Sequence, residues 1–224
     1  SLAIQTLPEV IMTRYGMTIN LDRCVGCHAC AVACTLHHGL PQGVRWSSVK
    51  LGEAGVFPDV ETVALPTLCM HCEKPLCVTA CKYDATYQTE EGIVLVDKDA
   101  CQGCGSCATA CPYGARHLLG GMSSNHEDAE PTEYESKMFA QHKANTMEKC
   151  TFCSDRLEAG EQPACVATCQ AHARIFGDLD DAGSDVSKLA LSKQAHTLLE
   201  SGGTGPSVFY LYGGSIDLDS ILKA

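Results

Sequence analysis

Sixteen cysteines stand in this 224-residue chain, and they fall into four groups of four. Cys24, Cys27, Cys30 and Cys34 form a C-x2-C-x2-C-x3-C run, which Cys101, Cys104, Cys107 and Cys111 repeat. Cys69, Cys72, Cys77 and Cys81 have four residues in the middle gap, and Cys150, Cys153, Cys165 and Cys169 have eleven. Every group closes on C-x3-C, and no cysteine is left over. Thiolates in such sets suit iron–sulfur clusters, zinc or Cu(I). Three cysteines at short gaps can wrap one face of a cubane cluster. The closing step puts the fourth on a shared helix face, one turn beyond the third. In two-cluster ferredoxins with this run, that fourth cysteine ligates the neighbouring cluster. The spacing therefore points to 4Fe–4S clusters, each group giving three ligands to one and the last to another.

Two other chemistries compete. Structural zinc sites usually read as separated C-x2-C pairs, whereas triplets with a trailing fourth dominate here. Eight disulfides are arithmetically possible, but cysteines crowded within eleven residues make poor staples. His71 lies between two candidate ligands and reads as orienting its loop. His37 and His38 end a helix and read as a polar cap. Gly202-Gly203-Thr204-Gly205 matches no nucleotide loop and reads as a flexible turn. No Ser/His/Asp triad, Walker loop or catalytic carboxylate pair is visible, so no substrate chemistry is assigned to this chain.

The elements that must position these thiols repeat with them. Alternating apolar segments, Met17–Leu21 and Ile93–Val96, precede the first and third groups, each followed by an aspartate, Asp22 or Asp97. Ala85, Ala115 and Ala173 stand four residues past the last cysteine of their groups, and β-prone stretches follow at Thr86–Gln88 and Arg174–Phe176. The unit reads as strand, cysteine loop, short helix, strand. Helices are expected over Leu76–Cys81 and Ala164–Cys169, each after a proline. Cys30–His38 and Thr151–Ala159 should end at Gly39 and Gly160. The tail from Gly177 has a helical pattern, then a strand at Val208–Tyr212. Thr35–Leu68, with the only Trp (Trp46), and the acidic stretch Leu119–Met147 lack repeat character. Long connections are often functional, so at least one is expected to touch a partner, a solvated surface excursion being the alternative.

Composition narrows the class. The net charge is −11, which argues against nucleic-acid binding. Each oxidised cluster with its thiolates would add roughly −2. No stretch approaches 18 consecutive apolar residues, so no membrane span is expected. Ser1–Tyr15 has no basic n-region, long apolar run or twin arginine, so no export address is expected on the chain itself.

The sequence resembles the four-cluster iron–sulfur (beta) subunits of the dimethyl sulfoxide reductase family of molybdopterin oxidoreductases, from Tyr15 to about Tyr212. The resemblance rests on the four cysteine groups in order. It rests also on Cys150-Thr-Phe-Cys153 with Arg156, Gly160, Pro163 and Cys165, on Phe176-Gly177-Asp178-Leu179, and on Gly205-Pro206-Ser207-Val208-Phe209-Tyr210-Leu211. It implies an α+β fold of two ferredoxin-like dicluster units, one nested within the other, with long loop insertions and a C-terminal helix/strand extension. The outer unit would take residues 15–66 plus 146–178 and the inner unit 67–122. Residues 123–145 would form an acidic insertion loop and 179–224 the extension.

Carried over residue by residue, one cluster takes Cys24, Cys27, Cys30 and Cys169, and its neighbour Cys150, Cys153, Cys165 and Cys34. A third takes Cys69, Cys72, Cys77 and Cys111, and the fourth Cys101, Cys104, Cys107 and Cys81. The family often has proline after the last cysteine of a group. Here only Cys111 has it (Pro112), with Thr35, Lys82 and Gln170 elsewhere. Lys82 beside a cluster is expected to raise its potential. The resemblance implies a non-catalytic electron-transfer subunit with four 4Fe–4S clusters. Its partner would be a large molybdenum or tungsten bis-pterin subunit, with a membrane quinone-reactive anchor or a soluble carrier at the other end. It further implies export with that partner to the extracytoplasmic face, a cytoplasmic place being the alternative. Rival readings are a formate dehydrogenase or hydrogenase electron-transfer subunit, a zinc-stabilised interaction module and a freestanding polyferredoxin.

Overall fold

A computed structural model of the chain describes residues 13–124 and 130–223. The Ser1–Tyr15 stretch, up to residue 12, and most of the acidic run Asn125–Glu130 lie outside them. Strand β1 (Tyr15–Asn20) is the centre of the largest sheet, and Met17, Thr18 and Ile19 are all buried there. Helix α1 (Ala29–His38) follows the first cysteine loop and ends at Gly39 in the left-handed region, whose amide returns to the Thr35 and Leu36 carbonyls.

The stretch Thr35–Leu68, which lacks repeat character, holds a long hairpin of β2 (Ser48–Val56) and β3 (Asp59–Thr67), paired from Ser48↔Thr67 to Val56↔Asp59. Its inner half packs into the core through Val63 and Leu65, while the tip leaves Phe57 87 % exposed.

Short elements then alternate through the two middle cysteine groups: α2 (Leu76–Thr79), β4 (Thr86–Gln88), β5 (Val94–Val96), α3 (Ser106–Ala110) and β6 (His117–Leu119). The expected acidic loop carries a helix, α4 (Glu133–Phe139). Thr132 and Glu135 close a capping box on it, each side chain accepting the other residue's amide. Strand β7 (Thr146–Glu148) leads to the fourth cysteine group with α5 (Ser154–Glu158) and α6 (Ala164–Ala167). Helix α5 begins three residues later than the pattern predicts, because Phe152 and Cys153 take positive φ to turn the cysteine loop.

The chain closes with β8 (Arg174–Asp178), α7 (Asp185–Ala190), β9 (Ala195–His196), β10 (Val208–Leu211) and α8 (Leu218–Lys223). Strand β1 pairs antiparallel with β8 and parallel with β10, giving the sheet order β8-β1-β10-β9. The strand after the fourth cysteine group thus lies beside the strand before the first. Two ribbons do the same for the middle of the chain. Strand β4, after the second group, pairs with β5, before the third; β6, after the third, pairs with β7, before the fourth. The result is the mixed arrangement of short helices and small sheets expected of the α+β class. Met17, Ile19, Leu40, Leu65, Met70, Phe152 and Tyr210 fill one core between them. No helix of the described residues is long and apolar enough to cross a membrane.

Candidate iron–sulfur centres

All sixteen cysteines are free thiols, and none forms a disulfide. They gather in four neighbourhoods. Cys24, Cys27, Cys30 and Cys169 line one cavity together with Arg174. Cys34 lies among Cys150, Cys165 and Cys153; burial, then these thiols, push its pKa up strongly. Cys72 sits with Cys69, Cys77 and Cys111 and is pushed to about 12, by burial first, with Thr204 opposing. Cys107 lies near Cys77, Cys101 and Cys81, and Cys104 near Cys81. The fourth cysteine of each group is therefore close to leading cysteines of a different group, carried there by a short helix.

The backbone is bent to make this possible. Gly26 and Gly103 stand at the same place in two loops, both at positive φ, +65° and +61°. At Gly103 a Cβ would come within 2.2 Å of the Asn145 carbonyl oxygen, so only glycine fits. Asp97 turns the chain into the third loop by accepting the amides of Asp99 and Ala100, at 2.8 and 3.2 Å. Main-chain amides also point at sulfur: Met147 to Cys101 and Phe152 to Cys150 at 3.4 Å, and Ala173 to Cys169 at 3.3 Å.

Burial grades the four neighbourhoods. Cys34, Cys150, Cys153 and Cys165 are all buried, whereas Cys27 and Cys104 reach the surface. Buried thiols with elevated pKa values are costly to ionise. The cations compensate. Arg174 brings Nη2 to 3.4 Å from Cys30 Sγ and Nη1 to 3.7 Å from Cys165 Sγ, spanning two neighbourhoods. Arg116 is buried beside Cys77, Cys69 and Cys107, and its Nη2 has no hydrogen-bond partner. Four soft sulfurs per site, inward amides and an orphaned guanidinium nitrogen are the donor set for an anionic metal–sulfur group.

Three residues that carry this electrostatics were not read from the sequence, Arg116, Arg174 and Lys149, and a fourth, His38, was read only as a helix cap. The arginines had a signal, an Ala-Arg pair four and five residues past the last cysteine of two groups. Lys149 had none. His37 and His38 do not cap helix carbonyls as expected. His37 pairs with Asp155 at 2.7 Å, and His38 Nε2 lies 3.3 Å from Cys153 Sγ. Burial, then His37, lowers the His38 pKa to about 4, so its ring is neutral at pH 7.

His71 Nδ1 accepts the Val94 amide at 3.0 Å and its ring stacks on Phe152 at 3.7 Å, so it ties the second cysteine loop to β5 and to the fourth loop. The far end of the glycine-rich turn is held by hydrogen bonds, whereas Gly202 and Gly203 are exposed. Thr204 is buried and bonded to the Tyr113 hydroxyl at 2.7 Å, and the Gly205 carbonyl accepts the Glu73 amide at 2.7 Å. Lys82 is exposed to solvent.

A fold of short helices and small sheets around free thiols in fours defines a ferredoxin-type iron–sulfur protein. The family model for a 4Fe–4S dicluster domain matches residues 60–119 and 128–179. The chain is 40 % identical to a tetrathionate reductase subunit of Salmonella typhimurium over 203 residues, covering 88 % of this chain and 72 % of that one. It is 40 % identical over 206 residues to a selenate reductase subunit of Mesobacillus selenatarsenatis, covering 87 % and 70 %. It is 36 % identical over 227 residues to the arsenate respiratory reductase iron–sulfur subunit of Shewanella sp., covering 88 % and 96 %. The chain belongs to the iron–sulfur subunit family of the dimethyl sulfoxide reductase-type oxidoreductases. It is an electron-transfer iron–sulfur subunit of that class, and a zinc module or a formate dehydrogenase or hydrogenase subunit is not favoured.

Proposed function

We propose that this chain is a linear electron wire of four 4Fe–4S clusters serving a molybdenum or tungsten bis-pterin catalytic subunit. The carrying observation is the gathering of sixteen unpaired thiols into four neighbourhoods. Each cluster, when bound, supplies a one-electron carrier. Cys24, Cys27, Cys30 and Cys169 hold the first. Cys150, Cys153, Cys165 and Cys34 hold the second, Cys69, Cys72, Cys77 and Cys111 the third, and Cys101, Cys104, Cys107 and Cys81 the fourth. The first two form an outer dicluster unit, and the last two an inner unit nested within it.

The exposed thiols Cys27 and Cys104 mark the two open ends of the wire. One end exchanges electrons with the catalytic subunit, and the other with a quinone-reactive anchor or a soluble carrier. The complex works on the extracytoplasmic face, carried there by its partner's export signal. The chain's own residues bind, bury and electrostatically tune the carriers. No proton or group is transferred on it.

Anaerobically purified complex tests this. The expected result is roughly sixteen irons and sixteen sulfides in this chain, four cubanes of four, with a brown colour that bleaches on reduction. Colourless protein with zinc in their place overturns the reading. Purification with a nickel–iron subunit instead of a pterin subunit overturns the partner.

A further inference from the structure

Each successive pair of thiol sets, first with second, second with third and third with fourth, has a buried cation in the gap between them. Arg174 is 3 % exposed and touches Cys30 of the first set and Cys165 of the second. Lys149 is 2 % exposed and lies by Cys69 and Cys77 of the third set and Cys150 of the second. Arg116 is 6 % exposed and lies by Cys77 and Cys69 of the third set and Cys107 of the fourth.

None of the three has a carboxylate partner among the described residues; every ion pair there joins other groups. Lys149 and Arg116 lie near enough to repel each other, and the other hydrogen bonds of all three go to neutral groups. Arg174 reaches Ser47 Oγ, Arg116 reaches Thr86 Oγ1, and Lys149 donates to the Val94 and Cys150 carbonyls. A buried cation without an anion is strongly unfavourable, so a fold that keeps three of them supplies the anions by other means.

We propose that Arg174, Lys149 and Arg116 are gap counter-ions, each raising the reduction potentials of the two clusters that flank it. This rests on the four-cluster reading above. An oxidised cluster with four thiolates carries about −2, so neighbouring sites repel each other and resist an added electron. In each hop one electron leaves the site on one side of a gap and arrives at the site on the other, and no proton accompanies it. A fixed cation between them favours the electron on either side. It lifts both potentials together and keeps the hop nearly level. A guanidinium is charged throughout the accessible pH range, so the two arginines supply that charge unconditionally. The three positions are positioning residues; none binds iron.

The test is an EPR-monitored redox titration of the anaerobic complex, with iron content measured on each variant. Full iron in the wild type secures the wire itself and separates its failure from that of the counter-ions. Arg174→Gln should shift the reduction equilibrium of the first and second sites at least tenfold toward the oxidised form, ~59 mV for one electron. The third and fourth sites should stay in place. Arg116→Gln should move only the third and fourth, and Lys149→Gln only the second and third. Arg174→Lys and Arg116→Lys should restore most of each shift. Gln variants that lose iron while their Lys counterparts keep it also support the proposal, because charge then holds the anion. No shift with full iron, an equal shift at all four sites, or equal damage in the Gln and Lys variants overturns it.

Discussion

The region around β1 and the region between β4 and β7 are built on the same cysteine repeat and differ in what surrounds it. The first has a four-stranded sheet, the fully buried Met17, Ile19 and Tyr210, and one thiol set, Cys34 with Cys150, Cys153 and Cys165, that is buried throughout. The second has two ribbons of three-residue strands and a thiol set with Cys104 at the surface. Cys81 shows the contrast chemically. Burial opposes its ionisation, but the amides of Tyr83, Thr86 and Ala85 outweigh it and lower its pKa, whereas Cys34 and Cys150 are raised. The outer region supplies more of the shared apolar core, to which the inner region adds Met70, Ile93, Tyr113 and Leu119. The inner region must rely on its metal groups for much of its order, because metal binding free energy is folding free energy where little else is available.

Removing the metal should produce the largest effect. After anaerobic chelation, hydrogen exchange should show amide protection collapsing across residues 67–122 while β1, β8 and β10 keep most of theirs. Equal loss in both regions would erase the contrast. Single ligand losses should follow in size. Cys34→Ala opens a fully buried site and should lower the melting temperature more than Cys104→Ala, whose site water can enter. Iron content and thermal melts of the two complexes decide it. The reverse order would mean that the exposed end carries the stability.

A third comparison separates the loop glycines. Gly103 and Gly114 have nearly the same φ, +61° and +62°, so alanine at either meets a left-handed penalty of ~1–2 kcal/mol. At Gly114 the Cβ enters open space, whereas at Gly103 it meets the Asn145 carbonyl. Gly103→Ala should therefore cost a further ~1–3 kcal/mol from overpacking, read in chemical denaturation. Equal costs would show that the 145–148 segment yields freely.

What could be read from the residues follows this contrast. Strands β1, β4, β5 and β8 were legible because they flank cysteine groups at repeating offsets, and β10 because it is a short apolar run. The β2–β3 hairpin was not. Gly52 and Gly55 interrupt its pattern, and its outer half is exposed, so no alternation reports it. Helix α4 had a readable start in Thr132-Glu-Tyr-Glu135, obscured by the acidic run before it. The cysteines marked where the metal groups belong, but charge in the gaps depends on burial. Lys82, adjacent to Cys81, drew attention and is exposed, where its field is screened. Lys149, adjacent to Cys150, looked ordinary and is buried.

The smallest expected effect concerns the polar cluster between the two regions. Glu148 on β7 is fully buried; its Oε1 lies 3.1 Å from His142 Nδ1 and pairs with Lys98 at 2.5 Å. Burial alone would lower the His142 pKa, but the Glu148 hydrogen bond outweighs it and raises the value above 6.5. Burial would raise Glu148, yet His142 and Lys98 hold it below 4.5. The imidazolium contribution is complete below the unfolded value of 6.5 and is lost as pH climbs through the raised folded value. The carboxylate contribution is complete above the unfolded 4.5 and is lost as pH falls through the lowered one. Both are present between about 4.5 and 6.5. His38, held neutral by burial, opposes them as pH falls from 6.5 toward 4. Since Glu148→Gln leaves His38 in place, the difference in stability between wild type and variant should peak inside that window, on the order of 1–3 kcal/mol. A difference that is flat from about pH 4 to 8 would mean that Lys98 alone supports Glu148, and that His142 contributes no charge to the joint between the two regions.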